Sequence, residues 1–210
     1  MIAIIDYAAG NLTSVKRALT FLGHNSVITD EVAKVLRAER IIFPGVGAAG
    51  KAMFNLKARK LDQALTQAYH DKKPILGICL GTQIIMEWSE ENNTLCLGLI
   101  KGKVRRFPEK VLDKKLKVPH MGWNGVILKR QHPLFRGVDP SAEFYFVHSY
   151  YPSPTYPGTV LGETDYGGLF PSVLGSSNLV AVQFHLEKSG RPGLTILSNF
   201  CRWVGEEHAE

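Results

Sequence analysis

The sequence predicts an α/β fold: an open, mostly parallel sheet with helices on both faces, carrying a β-rich antiparallel or mixed insertion over roughly residues 97–176. Two observations predict it. In the first half, short apolar runs alternate with stretches of helical periodicity, the mark of right-handed βαβ units. In the second half, short strand patterns and Gly/Pro-rich turns replace the helices until the chain closes. A chain of 210 residues is long enough to form one domain over 1–210 and to bury roughly 70% of its unfolded surface.

The elements follow in order. Ile2-Ala-Ile-Ile-Asp6 is the kind of apolar run a buried parallel strand needs. After the turn at Ala8-Ala-Gly10-Asn11, Leu12, Val15, Leu19 and Leu22 recur at helical spacing, and Gly23 supplies a stop. Ser26-Val-Ile-Thr29 and Arg40-Ile-Ile-Phe43 are the next strands, and the latter runs into Pro44-Gly-Val-Gly47. One long helix is expected from about Lys51 to His70. Pro74-Ile-Leu-Gly-Ile-Cys79 is then the most apolar strand, with a helix from about Gly81 to Glu90. Within the insertion the strands are expected at Gly125–Lys129, Phe144–His148 and Thr159–Glu163. Leu179-Val-Ala-Val-Gln-Phe184 returns as a buried strand, and Gly193 to Val204 closes the chain as a helix.

Composition narrows the function. Hydrophobic residues at 45% and charged residues at 21% exclude a disordered chain. No apolar run reaches the ~20 residues of a membrane-spanning helix. The N-terminus has no basic region or cleavage site of a secretory signal. Three cysteines (Cys79, Cys96 and Cys201) without CxxC spacing fit a reducing, cytoplasmic setting. Of the 25 basic residues, eight fall between Lys101 and Lys117 against only Glu109 and Asp113, so the formal excess of +6 sits in that one segment. Such a surface suits nucleic acid, a phosphorylated substrate or an acidic partner, or simply keeps an edge strand soluble. Nucleic acid is not expected, because no aromatic-interleaved or helix-turn-helix pattern accompanies the charge.

Gly77-Ile-Cys79-Leu-Gly81 has the form G-x-C-x-G at a strand-to-helix junction. This is a nucleophile elbow: a tight turn exposes the thiol, and the glycines relieve crowding. The helix N-terminus favours thiolate, and the Leu80 N–H points where an oxyanion forms. A thiol needs a base, and His185 stands at the end of the returning strand with Glu187 two residues on. In a strand, i and i+2 share a face, so Glu187 can orient the His185 imidazole toward the thiol. The chain order nucleophile, histidine, acid differs from that of α/β-hydrolases. No HExxH, P-C-x-x-C or Cys/His cluster is present, so no metal is expected. Pro44-Gly-Val-Gly47 lacks the G-K-[ST] of a phosphate loop and is a candidate second oxyanion donor through Gly45, Val46 and Gly47.

Pro44-Gly-Val-Gly47, Gly77-Ile-Cys-Leu-Gly-Thr-Gln83 and Gln183-Phe-His-Leu-Glu-Lys188, in this order, resemble the class I glutamine amidotransferases. Ile5-Asp-Tyr-Ala-Ala-Gly-Asn11, Pro119-His-Met-Gly-Trp-Asn124 and Tyr145-Phe-Val-His-Ser-Tyr150 are similar to the glutaminase-subunit family of imidazole glycerol phosphate synthases. The resemblance covers essentially the whole chain. It implies the amidotransferase fold, no cofactor, and Cys79 attacking the glutamine amide, with His185 as base and then acid and Glu187 orienting it. It implies Gln83 and the backbone of His148, Ser149 and Tyr150 as glutamine-binding groups. It further implies a heterodimer with a (β/α)8-barrel cyclase subunit that receives ammonia, contacted by Asn11, Met121, Trp123 and Lys188.

Four positions depart from that pattern: Ala8 where the family has glycine, Ala49 where it has an aromatic, Thr82 where it has a bulkier residue, and Leu186 where it has proline. None removes a reacting group. Leu186 restores a backbone N–H and is expected to loosen the segment carrying His185. These departures leave open a paralogue supplying ammonia to another synthase, for example in amidation of a surface sugar. A catalytically silent docking module using the basic segment is the reading from another class.

Overall fold

A computed structural model describes residues 1–108 and 116–205. Its centre is an eight-stranded sheet. The first strands are β1 (Ile2–Ile5), β2 (Ser26–Thr29), β3 (Arg40–Gly45) and β4 (Ile75–Cys79). They are followed by β9 (Ile127–Leu128), β12 (Val160–Asp165), β13 (Leu169–Ser176) and β14 (Leu179–Val182). The order is β2-β1-β3-β4-β14-β13-β12-β9. The first five strands run parallel, and β13, β12 and β9 extend the sheet antiparallel.

Alternation along each parallel strand divides the core in two. Ile2, Ile4, Ile42, Leu76, Ile78, Val180 and Val182 face one layer, with Val15 and Leu19 of α1 (Leu12–Phe21) and Ile196 and Phe200 of α6 (Gly190–Arg202). Ala3, Ile5, Ile41, Phe43, Ile75, Leu179 and Ala181 face the other, under α2 (Val32–Arg37), α3 (Ala49–Ala58) and α4 (Leu61–His70). Both faces are covered by helices, which is why these strands read as continuous apolar runs.

Several expectations are corrected. The long helix from Lys51 to His70 is two helices, α3 and α4, broken where Lys60 takes a left-handed φ of 58°. The helix from Gly81 to Glu90 shrinks to α5 (Leu80–Ile84). Past it the chain joins a second sheet of four strands, β11 (Tyr150–Pro154), β7 (Gly102–Arg106), β5 (Trp88–Ser89) and β6 (Thr94–Leu95). Pairing with β7 claims the backbone that the helix would have used: Glu87 N–H donates to Gly102 O and Glu90 N–H to Val104 O. The expected strand Gly125–Lys129 is split. Gly125 ends β8 (His120–Gly125), which pairs with β10 (Glu143–His148), whereas Ile127 and Leu128 form the outer strand β9. Helix α2 has no counterpart among the sequence expectations.

The basic segment is also placed differently. Lys103, Arg105 and Arg106 lie exposed on β7, which is an inner strand between β11 and β5 and not an edge. Lys110, Lys114 and Lys115, with Glu109 and Asp113, lie outside the described residues. Among the described residues no helix is long and apolar enough to cross a membrane.

Candidate active site

Parallel strands end together, so the carboxyl ends of β3, β4 and β14 meet at one edge of the sheet. Registration sets Gly45 beside Cys79 and Val182 beside Ile78. Pro44–Gly47, Cys79 and Gln183 are therefore neighbours although they are far apart in the chain.

Cys79 ends β4 and caps α5 with φ 53° and ψ −104°, a conformation that L-residues avoid. Steric constraint holds it there. A Cβ on Gly81 would lie 2.0 Å from the Phe43 carbonyl oxygen, and one on Gly77 would lie 2.9 Å from Ala181 Cβ. The two glycines of the elbow thus let the short helix settle directly onto β3 and β14. Strained backbone of this kind marks reactive positions.

The His185–Glu187 pair forms, but not within a strand. β14 stops at Val182, His185 makes a single bridge to Tyr145, and Leu186–Lys188 is a 3-10 turn. Three bonds fix this turn: His185 N–H donates to Tyr145 O (2.9 Å), Ser189 Oγ donates to His185 O (2.5 Å), and His185 Nδ1 meets Glu187 Oε1 at 2.6 Å. Leu186 buries its side chain fully in the core. Asn11, itself left-handed, donates through Nδ2 to Glu187 Oε1 and lies 3.5 Å from His185 Nδ1.

With Nδ1 engaged, Nε2 is left buried without a hydrogen bond to the described residues. Cys79 is the remaining group acting on the ring, so Nε2 is the atom left for the thiol. Burial pulls the His185 pKa down, but the nearby Cys79 sulfur and the bonded Glu187 carboxylate outweigh it and raise it to about 10. The imidazole therefore holds a proton at neutral pH between a sulfur and a carboxylate. Thiol, imidazole and carboxylate so arranged can carry out acyl transfer through a thioester.

Cys79 opens into a cavity of about 360 Å³ lined by Val46, Gly47, Leu80, Gln83, Glu91 and the segment Val147–Tyr150, a size suited to a small molecule. Gln83 donates to Tyr150 O at 2.9 Å and to Gln183 Oε1 at 3.3 Å, and Gln183 Nε2 reaches Cys79 Sγ at 3.9 Å. Glu91 and Gln183 were not among the expected site residues. Glu91 accepts from Ala49 N–H at 2.7 Å, tying the start of α3 to the cavity wall. In the sequence it is one acidic residue within Glu90-Glu91-Asn92-Asn93, indistinguishable from a solvated loop.

On β8, Met121 is 61% and Trp123 54% exposed. Trp123 meets Tyr145 edge-on, and Lys188 Nζ lies 5.6 Å from the Tyr145 ring centroid. Thr82, one of the departures, is buried and donates to Val182 O at 2.5 Å. Among the described residues no group of three or more His, Cys, Asp or Glu side chains is arranged to hold a metal ion.

Residues 3–203 match the family model described as glutamine amidotransferase class-I. A protein from Maridesulfovibrio salexigens named imidazole glycerol phosphate synthase subunit HisH is 51% identical over 209 residues, covering 98% of each chain. One of the same name from Thiobacillus denitrificans is 44% identical, covering 99% of this chain and 93% of its own. Among solved structures, a glutamine amidotransferase superposes with TM-score 0.72 at 15% identity, covering 97% of each chain. PurLQS from Thermotoga maritima superposes with TM-score 0.70 at 17% identity, covering 96% of this chain and 97% of its own. At such identities these two speak for the fold alone.

Proposed function

The chain belongs to the glutamine amidotransferase class-I family, and from that premise we propose that it is the glutaminase subunit of an imidazole glycerol phosphate synthase, supplying ammonia for histidine biosynthesis. The observation that carries this reading is Cys79 on its strained elbow lining a small-molecule cavity, with the His185–Glu187 pair engaged. The full-length similarity to proteins of that name supports the acceptor pathway.

The thiolate of Cys79 attacks the side-chain carbonyl carbon of glutamine while His185 holds the proton taken from it. The tetrahedral oxyanion is met by the Leu80 N–H and the backbone of Gly45, Val46 and Gly47. Collapse breaks the C–N bond, His185 protonates the leaving nitrogen, and ammonia departs, leaving a glutamyl thioester. Water, deprotonated by His185, then cleaves the thioester to glutamate and restores the thiol. Gln83, the backbone of His148-Ser149-Tyr150 and the Glu91 carboxylate hold the substrate. Glu91 is the acidic group on the cavity wall suited to an α-ammonium. The reaction needs neither metal nor cofactor.

Ammonia released to neutral water becomes ammonium and loses its reactive lone pair, so direct transfer to a docked acceptor preserves it. The acceptor is a (β/α)8-barrel cyclase subunit in a cytoplasmic heterodimer, meeting the face of Asn11, Met121, Trp123 and Lys188. An exposed Met and Trp beside an aromatic are suited to anchoring such an interface. The test is glutamate release by the whole chain, alone and mixed with the cyclase and its ribonucleotide substrate. Low activity alone, a large rise in the mixture and a loss of at least about 10³-fold in Cys79→Ser are expected. No rise with an intact, alkylatable thiol would transfer the chemistry to another synthase.

A further inference from the structure

Beside the cavity lie two buried histidine side chains that the chemistry above does not use. His120 on β8 and His148 on β10 are opposite each other in the antiparallel register, and are 2% and 5% exposed. His120 Nδ1 is 3.0 Å from His148 Nε2, and His148 Nδ1 is 2.8 Å from the Tyr150 carbonyl. Burial pushes His120 down to about 4. Burial first, and then the charges of His120 and His185, push His148 down to about 3 despite its bond to Tyr150. Both rings are neutral at pH 7.

A neutral imidazole has one donor and one acceptor, so the chain of contacts can be solved from its fixed end. The Tyr150 carbonyl only accepts, so His148 carries its proton on Nδ1. Its Nε2 is then an acceptor, so His120 donates from Nδ1. His120 Nε2 is left to accept, and the Asn124 side-chain amide stands 3.4 Å away. One tautomer assignment satisfies every ring nitrogen. The same Tyr150 carbonyl accepts from Gln83, Gln83 also donates to Gln183, and Gln183 donates to Cys79 Sγ.

We infer that the side chains of His120 and His148 are positioning residues for Cys79: they fix the Tyr150 carbonyl, and through it the two carboxamides that seat the thiol. The inference deepens the glutaminase reading and rests on it for its activity readout. Packing alone does not call for histidine here. His120 stacks on Phe146 and Tyr166 at centroid distances of 4.7 and 3.9 Å, and His148 sits among Phe107, Phe146 and Phe170. Phenylalanine would serve that aromatic cluster with no polar group to satisfy. What it lacks is the donor chain. The chain also begins on β8, whose alternate side chains, Met121 and Trp123, are exposed.

The experiment compares full-length wild type with His148→Phe, His148→Asn and His120→Phe, each with the cyclase present. Two rates are read: glutamine turnover, and iodoacetamide alkylation of Cys79 followed by mass spectrometry. Phe keeps the ring and removes both nitrogens; Asn restores a donor where Nδ1 stood. For His148→Phe, kcat and the alkylation rate are expected to fall about tenfold, the worth of one buried hydrogen bond. His148→Asn is expected to recover to within about threefold of wild type, and His120→Phe to lose about threefold. Wild-type rates in His148→Phe would overturn the inference. So would equal losses in Phe and Asn variants that track their unfolding midpoints, the signature of packing alone. If His148→Phe fails to fold, His120→Phe, which keeps the stack, decides by the same two rates. Alkylation needs no glutamine, so a wild type inert toward glutamine would strike the functional reading while the thiol still judges the pair.

Discussion

Acidification is expected to weaken the fold through His120 and His148, by an amount their burial sets. The ordinary histidine value is 6.5, and in the fold the two fall to about 4 and about 3. Between pH 6.5 and 4 the unfolded chain binds protons that the folded chain refuses, so stability falls as pH falls. The contribution is complete above pH 6.5 and erodes toward pH 4. At pH 5 the solution lies about 1.5 pH units below the unfolded value of each ring, which is ~2 kcal/mol each and ~4 kcal/mol for the pair. Against a typical total of 5–15 kcal/mol this is a large share. The 3.0 Å contact and the nearby cationic His185 act in the same direction, since each opposes a further positive charge. The assay is urea unfolding at pH 7, 6 and 5 for wild type and for the double variant His120→Phe/His148→Leu. His132, also pushed down by burial to about 4, and the carboxylates act on both proteins alike, so the difference isolates the pair. Wild type is expected to lose ~3–4 kcal/mol more than the variant from pH 7 to pH 5. Parallel curves would refute the reasoning.

Three further outcomes are expected. Gly81→Ala puts a Cβ 2.0 Å from a backbone oxygen that cannot turn aside; a loss of about 2–3 kcal/mol in urea and slowed Cys79 alkylation follow. Ala8 sits at a left-handed φ of 59°, so Ala8→Gly should gain ~1 kcal/mol and raise the melting temperature by about 3 °C; an unchanged midpoint would count against strain there. Trp123→Ala, at a side chain 54% exposed, should leave the free chain's stability nearly unchanged. It should weaken docking to the cyclase by ~2 kcal/mol, about 30-fold in Kd, as read by titration calorimetry.

The local chemistry was legible in the chain itself. Gly77-Ile-Cys79-Leu-Gly81 announces an elbow because the steric demand is local: one strained residue flanked by two that need no side chain. The buried strands were legible because a sheet covered on both faces leaves continuous apolar runs, and β1, β3, β4 and β14 fall where those runs are. His185 and Glu187 were paired correctly but for the wrong reason. Two-residue spacing suggested a strand, and a 3-10 turn pinned by Ser189 and Tyr145 does the work instead.

What tertiary structure alone decided are the choices made by distant partners. The break between α3 and α4 at Lys60 has no glycine or proline to announce it. The short α5 ends because β7 offers Glu87 and Glu90 better hydrogen bonds than another helical turn would. Gln183 joins the candidate site only when the β4–β14 register brings it to Cys79, and Glu91 only when it meets the Ala49 N–H at the start of α3. The His120–His148 tautomers exist only once β8 and β10 align. A residue's own conformational preference acts over a few neighbours and is written in the sequence. Hydrogen-bond satisfaction and burial are settled between segments a hundred residues apart, and so only by the fold.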